Sequence, residues 1–140
     1  MIILDTNVLS EQIKLEPSQS VLKWAATVPS GELYTTTISE AEMLIGLALL
    51  PAGRKRNLLA AQIANIFHRD FEDKILPFDS RAARAMSSLP LQLGRQGRPI
   101  VDTDAMIAAI ATAHRATVST RNVRDFQRLG VAVVNPWLPL

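Results

Sequence analysis

Short apolar runs alternate along the chain with longer stretches of mixed hydrophobic and polar positions. The first run, Ile2–Leu4, stops abruptly at Asp5. It reads as a short, fully buried strand, the kind found in parallel sheets covered on both faces. Residues 33–37 (LYTTT) are β-branched and aromatic and predict a second strand. Ile75–Leu76, residues 117–120 and residues 131–134 predict three more. Between them the patterning predicts helices over residues 6–15, 18–26, 39–50, 54–71, 80–93, 103–114 and 123–129. Pro17 ends the first. Ser18, Ser39 and Ser80 are candidate N-caps, and Glu42 stands three residues after Ser39 as a capping-box partner. Pro90 bends the helix over 80–93. Residues 29–31 form a turn and 94–99 a basic, glycine-containing loop. No repeat, linker or low-complexity stretch interrupts the pattern, so residues 1–140 read as a single domain. Strands alternating with helices predict a three-layer α/β/α sandwich around a parallel sheet. Ligands of such sheets bind beyond the carboxyl ends of the strands, where Asp5 falls.

Composition removes several classes of function. Apolar residues make up 48% and charged residues 20% of the 140, an ordinary globular balance. Cysteine is absent, so neither a disulfide nor a thiolate metal site is possible; this suits a reducing cytoplasm. Residues 1–4 are too short for a signal-peptide core. No apolar run approaches the roughly 20 residues needed to cross a bilayer, and the longest, 43–50, reads as a core helix. Net charge is only +2, but residues 1–50 hold six acids and two bases, whereas residues 51–140 hold seven acids and thirteen bases, eleven of them Arg. Arginine suits planar, bidentate contact with phosphate. The same charges also serve a merely solvated surface, and a polyanion partner such as nucleic acid is the competing reading.

Three acids stand out by position. Glu42 shares a stripe with Ile38, Ala41, Ile45 and Leu49. The capping box explains part of this; a cation or substrate waiting on that face would explain the rest, since an unpaired buried carboxylate costs several kcal/mol. Asp104 lies in the first turn of the Ala-rich helix, on a face with Ile107, Ala108 and Ala111. There it could simply favour the helix dipole, with Asp102 as the capping acid. Asp5 could simply cap the helix that begins at Thr6. Taken together, three clustered carboxylates need a cation to offset their repulsion. His68 and His114 stand apart near helix ends, so the donor set is all oxygen and suits Mg²⁺ or Mn²⁺ rather than zinc. Such a site activates water and stabilises charge on a phosphodiester.

The motifs that carry these residues are MIILDTNVLSE at the start, TISEAEMLIGL around Glu42, ILPFD at 75–79, DTDAMIAAIA at 102–111, STRNVRDF at 119–126 and VNPW at 134–137. Each is weak alone. In this order and spacing the chain resembles, over almost its full length, the PIN-domain ribonucleases, specifically the VapC/FitB-like toxins of bacterial toxin–antitoxin pairs. The resemblance implies a five-stranded parallel sheet in order 3-2-1-4-5. It implies Asp5, Glu42 and Asp104 as ligands of Mg²⁺ or Mn²⁺, with Thr6, Asn7 and Thr120 as polar neighbours that orient carboxylates or bound water. Relatives often carry a fourth acid after the fourth strand. Here that position is Asn122, and Asp125 either replaces the acid as a catalytic residue or only caps the short helix. The implied activity is metal-dependent hydrolysis of RNA. The implied partners are RNA, a cognate antitoxin that brings operator DNA, and a second copy of the chain through helices at 19–27 and 39–71.

Other readings are weaker. A non-catalytic PIN module binding RNA or a protein is favoured only by Asn122. A duplex-clamping DNA nuclease would need elements for which there is no room. A haloacid-dehalogenase-like phosphatase needs an acid two residues after Asp5, and position 7 is Asn. Trp24 and Trp137 read as packing residues. Arg54, Lys55 and Arg56 open a helix where bases oppose the dipole, which hints at a surface in use.

Overall fold

The computed structural model describes residues 1–139. Five strands form one parallel sheet in the order β3-β2-β1-β4-β5, as expected. They are β1 (Ile2–Leu4), β2 (Leu33–Thr36), β3 (Ile75–Leu76), β4 (Thr117–Ser119) and β5 (Val133–Val134). The helices are α1 (Thr6–Gln12), α2 (Gln19–Thr27), α3 (Thr37–Ala48), α4 (Arg54–Asn65), α5 (Ser80–Met86), α6 (Thr103–His114) and α7 (Val123–Arg128). Alternate residues of a strand face opposite ways. Ile3 accordingly joins a core with Ile107, Ile110, Val118 and Phe126 under α5–α7, while Leu4 joins a core with Val8, Val21, Trp24, Met43 and Phe67 under α1–α4. The central strand thus separates two apolar layers, and the three-layer sandwich follows. Among the described residues no helix is long and apolar enough to cross a membrane.

Several expectations are corrected. Thr36, not Ser39, caps α3: its hydroxyl accepts from the Ser39 backbone N–H at 3.1 Å. Thr36 ends β2 in register with Leu76, so the strand determines where the helix can begin. Helix α5 is capped by Asp79, which accepts from Ala82 N–H at 3.0 Å, rather than by Ser80. It stops at Met86 instead of running to residue 93. The Ser87 and Ser88 hydroxyls bond back to the carbonyls of Arg84 and Ala85, a local alternative to continuing the helix. Helix α1 is also shorter than expected, because the Glu11 carboxylate folds the chain back by accepting from Ser18 N–H at 2.9 Å. The helix from Arg54 closes with a π-helical turn over Ile66–Asp70.

The largest departure is α3. Its apolar stripe was expected to face the core, yet Ile45 is 60% and Leu49 81% exposed, and Leu44 of the same helix and Leu58 of α4 are exposed as well. Only Ser39 and Met43 of this helix are buried. Residues 43–50 therefore do not form a core helix.

Candidate active site

Asp5 leaves the carboxyl end of β1 at the centre of the sheet, where its backbone N–H continues the ladder to Ser119 at 2.9 Å. Its side chain is 3% exposed. It caps α1 by accepting from Thr6 N–H at 2.8 Å, and its other oxygen accepts from Thr120 Oγ1 at 2.7 Å and Asn7 Nδ2 at 3.1 Å. Capping and presentation are therefore one arrangement rather than alternatives. Three donors use three of about four lone-pair positions. Burial nevertheless pushes the Asp5 carboxyl above its ordinary value, against the lowering effect of those donors.

Glu42 does not close a capping box. Its carboxylate accepts from Thr6 Oγ1 at 2.8 Å, and Thr6 Oγ1 also lies 2.9 Å from Ser39 Oγ. Thr103, at the start of α6, reaches the other oxygen of Glu42 at 3.5 Å. Asp102 caps α6 by accepting from Ala105 N–H at 2.9 Å, which leaves Asp104 free of that duty. Asp104 is pushed up to about 7, first by burial and then by the negative charges of Asp5, Asp102, Asp125 and Glu42. Neighbouring acids thus add to desolvation rather than relieve it.

Asp5, Glu42 and Asp104, from three elements far apart in sequence, line one cleft of about 380 Å³ together with Thr6, Asn7 and Asn122. Asn7 also accepts from Arg121 N–H at 3.3 Å, and Thr120 Oγ1 accepts from Asn122 N–H at 2.9 Å, which ties the loop after β4 to the end of β1. Asp125 is not in this cleft; it lines an adjoining one, on the far side of Asp104. His68 and His114 line neither. Lys14, Arg121 and Trp137 do line the acidic cleft, and the Arg121 guanidinium stacks 5.1 Å from the centre of the Trp137 ring. The sequence reading assigned none of these three to the site. Trp137 does pack against the core as expected, but its other side forms the cleft wall. Arg121, beside Asn122, was the nearest to a readable signal.

Among the described residues no three His, Asp or Glu side chains already stand in an arrangement that could hold a metal ion. By donor type and charge the residues nonetheless suit a hard divalent cation. All the available donors are oxygens, and the excess negative charge at Asp104 is what such a cation would neutralise.

A parallel α/β sandwich with carboxylates converging at the end of its central strand defines the class, and the comparisons agree. The family model described as "PIN domain" matches residues 2–132. The chain is 38% identical over 139 residues to VapC ribonuclease Y4jK of Sinorhizobium fredii, covering 99% of each chain. It is 36% identical to toxin FitB of Neisseria gonorrhoeae, covering 98% of this chain and 99% of the other. A solved structure of FitAB bound to an IR36 DNA fragment superposes with a TM-score of 0.87 at 36% identity, over 100% of this chain and 98% of the other. The chain belongs to the PIN-domain family.

Proposed function

We propose that the chain is an endoribonuclease toxin of a toxin–antitoxin pair that hydrolyses RNA phosphodiester bonds with Mg²⁺ or Mn²⁺. The observation that carries this reading is the convergence of Asp5, Glu42 and Asp104 on one cleft at the carboxyl edge of the sheet. The relatives named above, a VapC ribonuclease and the toxin FitB, point to the same activity.

These three acids would hold the cation. When bound, it supplies Lewis acidity toward phosphoryl oxygens and lowers the pKa of water. Thr120 and Asn7 keep Asp5 aimed into the cleft, and Thr6 does the same for Glu42. Arg121, braced on Trp137, gives the cleft a cation for the flanking phosphates, while Lys14 beside it is ion-paired to Glu11. Asn122 can hydrogen-bond water but brings no charge, and Asp125 belongs to the neighbouring cleft in this reading.

An apolar groove of about 480 Å³ runs from the acidic cleft between α1, α3 and α4, and shares Thr6, Ser10, Lys14 and Glu42 with it. An antitoxin segment lying there would cover the acids, and operator DNA would be bound through the antitoxin, as the DNA-bound FitAB complex suggests by analogy. The open Leu44, Ile45, Leu49 and Leu58 side chains suit a second copy of the chain. Its place of action would be the cytoplasm, where RNA is available.

The test is incubation of total cellular RNA with purified, antitoxin-free protein and Mg²⁺ or Mn²⁺. Discrete fragments are expected, absent with EDTA and reduced by roughly two orders of magnitude or more in Asp5→Asn. Intact RNA with folded protein would instead favour the non-catalytic module, for which the uncharged Asn122 is the supporting feature.

A further inference from the structure

Asp104 lines two clefts, and the second has a different character. Its volume is about 150 Å³, and it is open to solvent on one side. Helix α7 turns Asp125 and Arg128 into it; three residues apart on a helix, they lie on one face. A hairpin spanning residues 92–100 supplies Gln92 and Ile100. The hairpin is closed by Ile100 N–H to Gln92 O at 2.8 Å and Gly94 N–H to Arg98 O at 2.7 Å. Gln96 and Gly97, with φ of 62° and 71°, reverse the chain at its tip. Gly94 packs closely in the stem: a Cβ there would stand 3.3 Å from Ile100 Cγ1, and the Ile100 side chain would have to shift by a few tenths of an ångström. Pro90 and Leu129 complete apolar sides. Among the described residues the ion pairs are Met1–Glu32 and Lys14–Glu11, so Asp125 and Arg128 both face the cleft uncommitted.

A small cleft with apolar sides, Asp125 and Arg128 on one wall and Asp102 and Asp104 also in its lining suits a flat ring whose edges carry several donors and some acceptors. Guanine has that pattern. Its Watson–Crick edge presents two adjacent N–H donors to a carboxylate, and its O6 and N7 accept from an arginine. Adenine and cytosine place a ring acceptor where guanine has N1–H, and uracil has a single donor between two carbonyls.

We propose that this cleft is a base pocket holding an unstacked guanine of the RNA strand, with Asp125 on N1–H and the 2-amino group and Arg128 on O6 and N7. The pocket deepens the ribonuclease reading and rests on it for where the strand is cut. Because Asp104 forms the boundary, a base seated here leaves its backbone beside the acidic cleft. Arg95 and Arg98 on the hairpin serve the strand beyond it. Reading a splayed base by its edges is the usual way single-stranded RNA is recognised.

The test uses the full chain carrying Asp5→Asn, with Glu42→Gln as a second inactive background, in Mg²⁺. Fluorescein-labelled oligouridine hexamers carry a single central G, A, C, U or inosine, and binding is read by anisotropy. The G oligomer should bind about tenfold more tightly than the A, C and U oligomers. Inosine, lacking the 2-amino group, should fall between. Adding Asp125→Ala together with Arg128→Gln, both at exposed positions, should level the series. Equal affinities throughout, or a guanine preference that survives the double substitution, would overturn the pocket. Cleavage by the wild-type chain separates the two claims. Cutting with no guanine preference removes the pocket and keeps the nuclease; a guanine preference in binding without cutting removes the nuclease and keeps the pocket.

Discussion

Helices α3 and α6 are each twelve residues long, each largely apolar, and each delivers one acid to the same cleft. Their burial is opposite. Helix α6 buries Ala105 and every residue from Ile107 to Ala111, whereas α3 buries only Ser39 and Met43. The reason is layering. Helix α6 lies on the sheet against Ile3 and Val118, with α5 and α7 beside it. Helix α3 meets the sheet layer through one narrow face and leaves Ile45 and Leu49 to the outside. An apolar helix therefore says that a face needs cover, not that the chain's own core supplies it.

The acids follow the same division. Glu42, on the open helix, is steadied by the Thr6 hydroxyl from α1. Asp104, on the buried helix, is half-desolvated among other acids and shifted up to about 7. One acid is supported by a neighbouring element, and the other is left in need of positive charge.

The largest expected effect that sharpens this contrast is in stability. Ile110→Ala should cost about 2–5 kcal/mol in urea unfolding, as a fully buried truncation. Ile45→Ala should stay within about 0.5 kcal/mol for the monomer. Equal losses would mean that α3 is as buried as α6 in solution.

Next comes pH. The Asp104 carboxyl is raised in the folded chain from 3.8 to about 7, so between those values the folded state holds a proton that the unfolded state has lost. Stability without divalent cation should therefore fall as pH rises through that window and level off above it. Asp104→Asn should flatten that part of the profile and stabilise the protein at pH 7.5 by about 1 kcal/mol, less than the full shift implies because solvent screens a half-exposed group. Added Mg²⁺ should raise the wild-type melting temperature at pH 7.5 more than that of Asp104→Asn. An unchanged pH profile in the variant would show that Asp104 carries no such strain.

The smallest effect on folding, with a clear effect on assembly, is expected from Ile45→Lys. Monomer stability should hardly change, while light scattering should report a lower mass than for the wild-type chain. An unaltered mass would leave the open face of α3 without the assigned use.

The strands Ile2–Leu4 and Ile75–Leu76 and the helix Thr103–His114 were legible residue for residue, because short buried strands and an Ala-rich helix after a capping acid leave few alternatives. The start of α3 was not, since Thr36 and Ser39 are both good caps three residues apart and only the pairing of β2 with β3 decides between them. The end of α5 was missed because Ser87 and Ser88 can either continue a helix or bond back to it. At the site, Asp5, Glu42 and Asp104 were readable as acids at strand ends or on apolar faces. The position of Asp125 across Asp104, and the approach of Trp137 to Arg121, depend on how α7 and the segment after β5 pack, which no local pattern encodes.

The most direct measurement is the cleavage rate of one defined RNA substrate at saturating Mg²⁺ by the wild-type chain, by Asp5→Asn, Glu42→Gln and Asp104→Asn singly, and by the triple variant. Groups that act as a unit are strongly non-additive. Each single variant should therefore lose nearly as much rate as the triple, with all losses tied to the divalent cation. A single variant that keeps close to the wild-type rate, or cleavage that persists in EDTA, would contradict a site built from these three carboxylates.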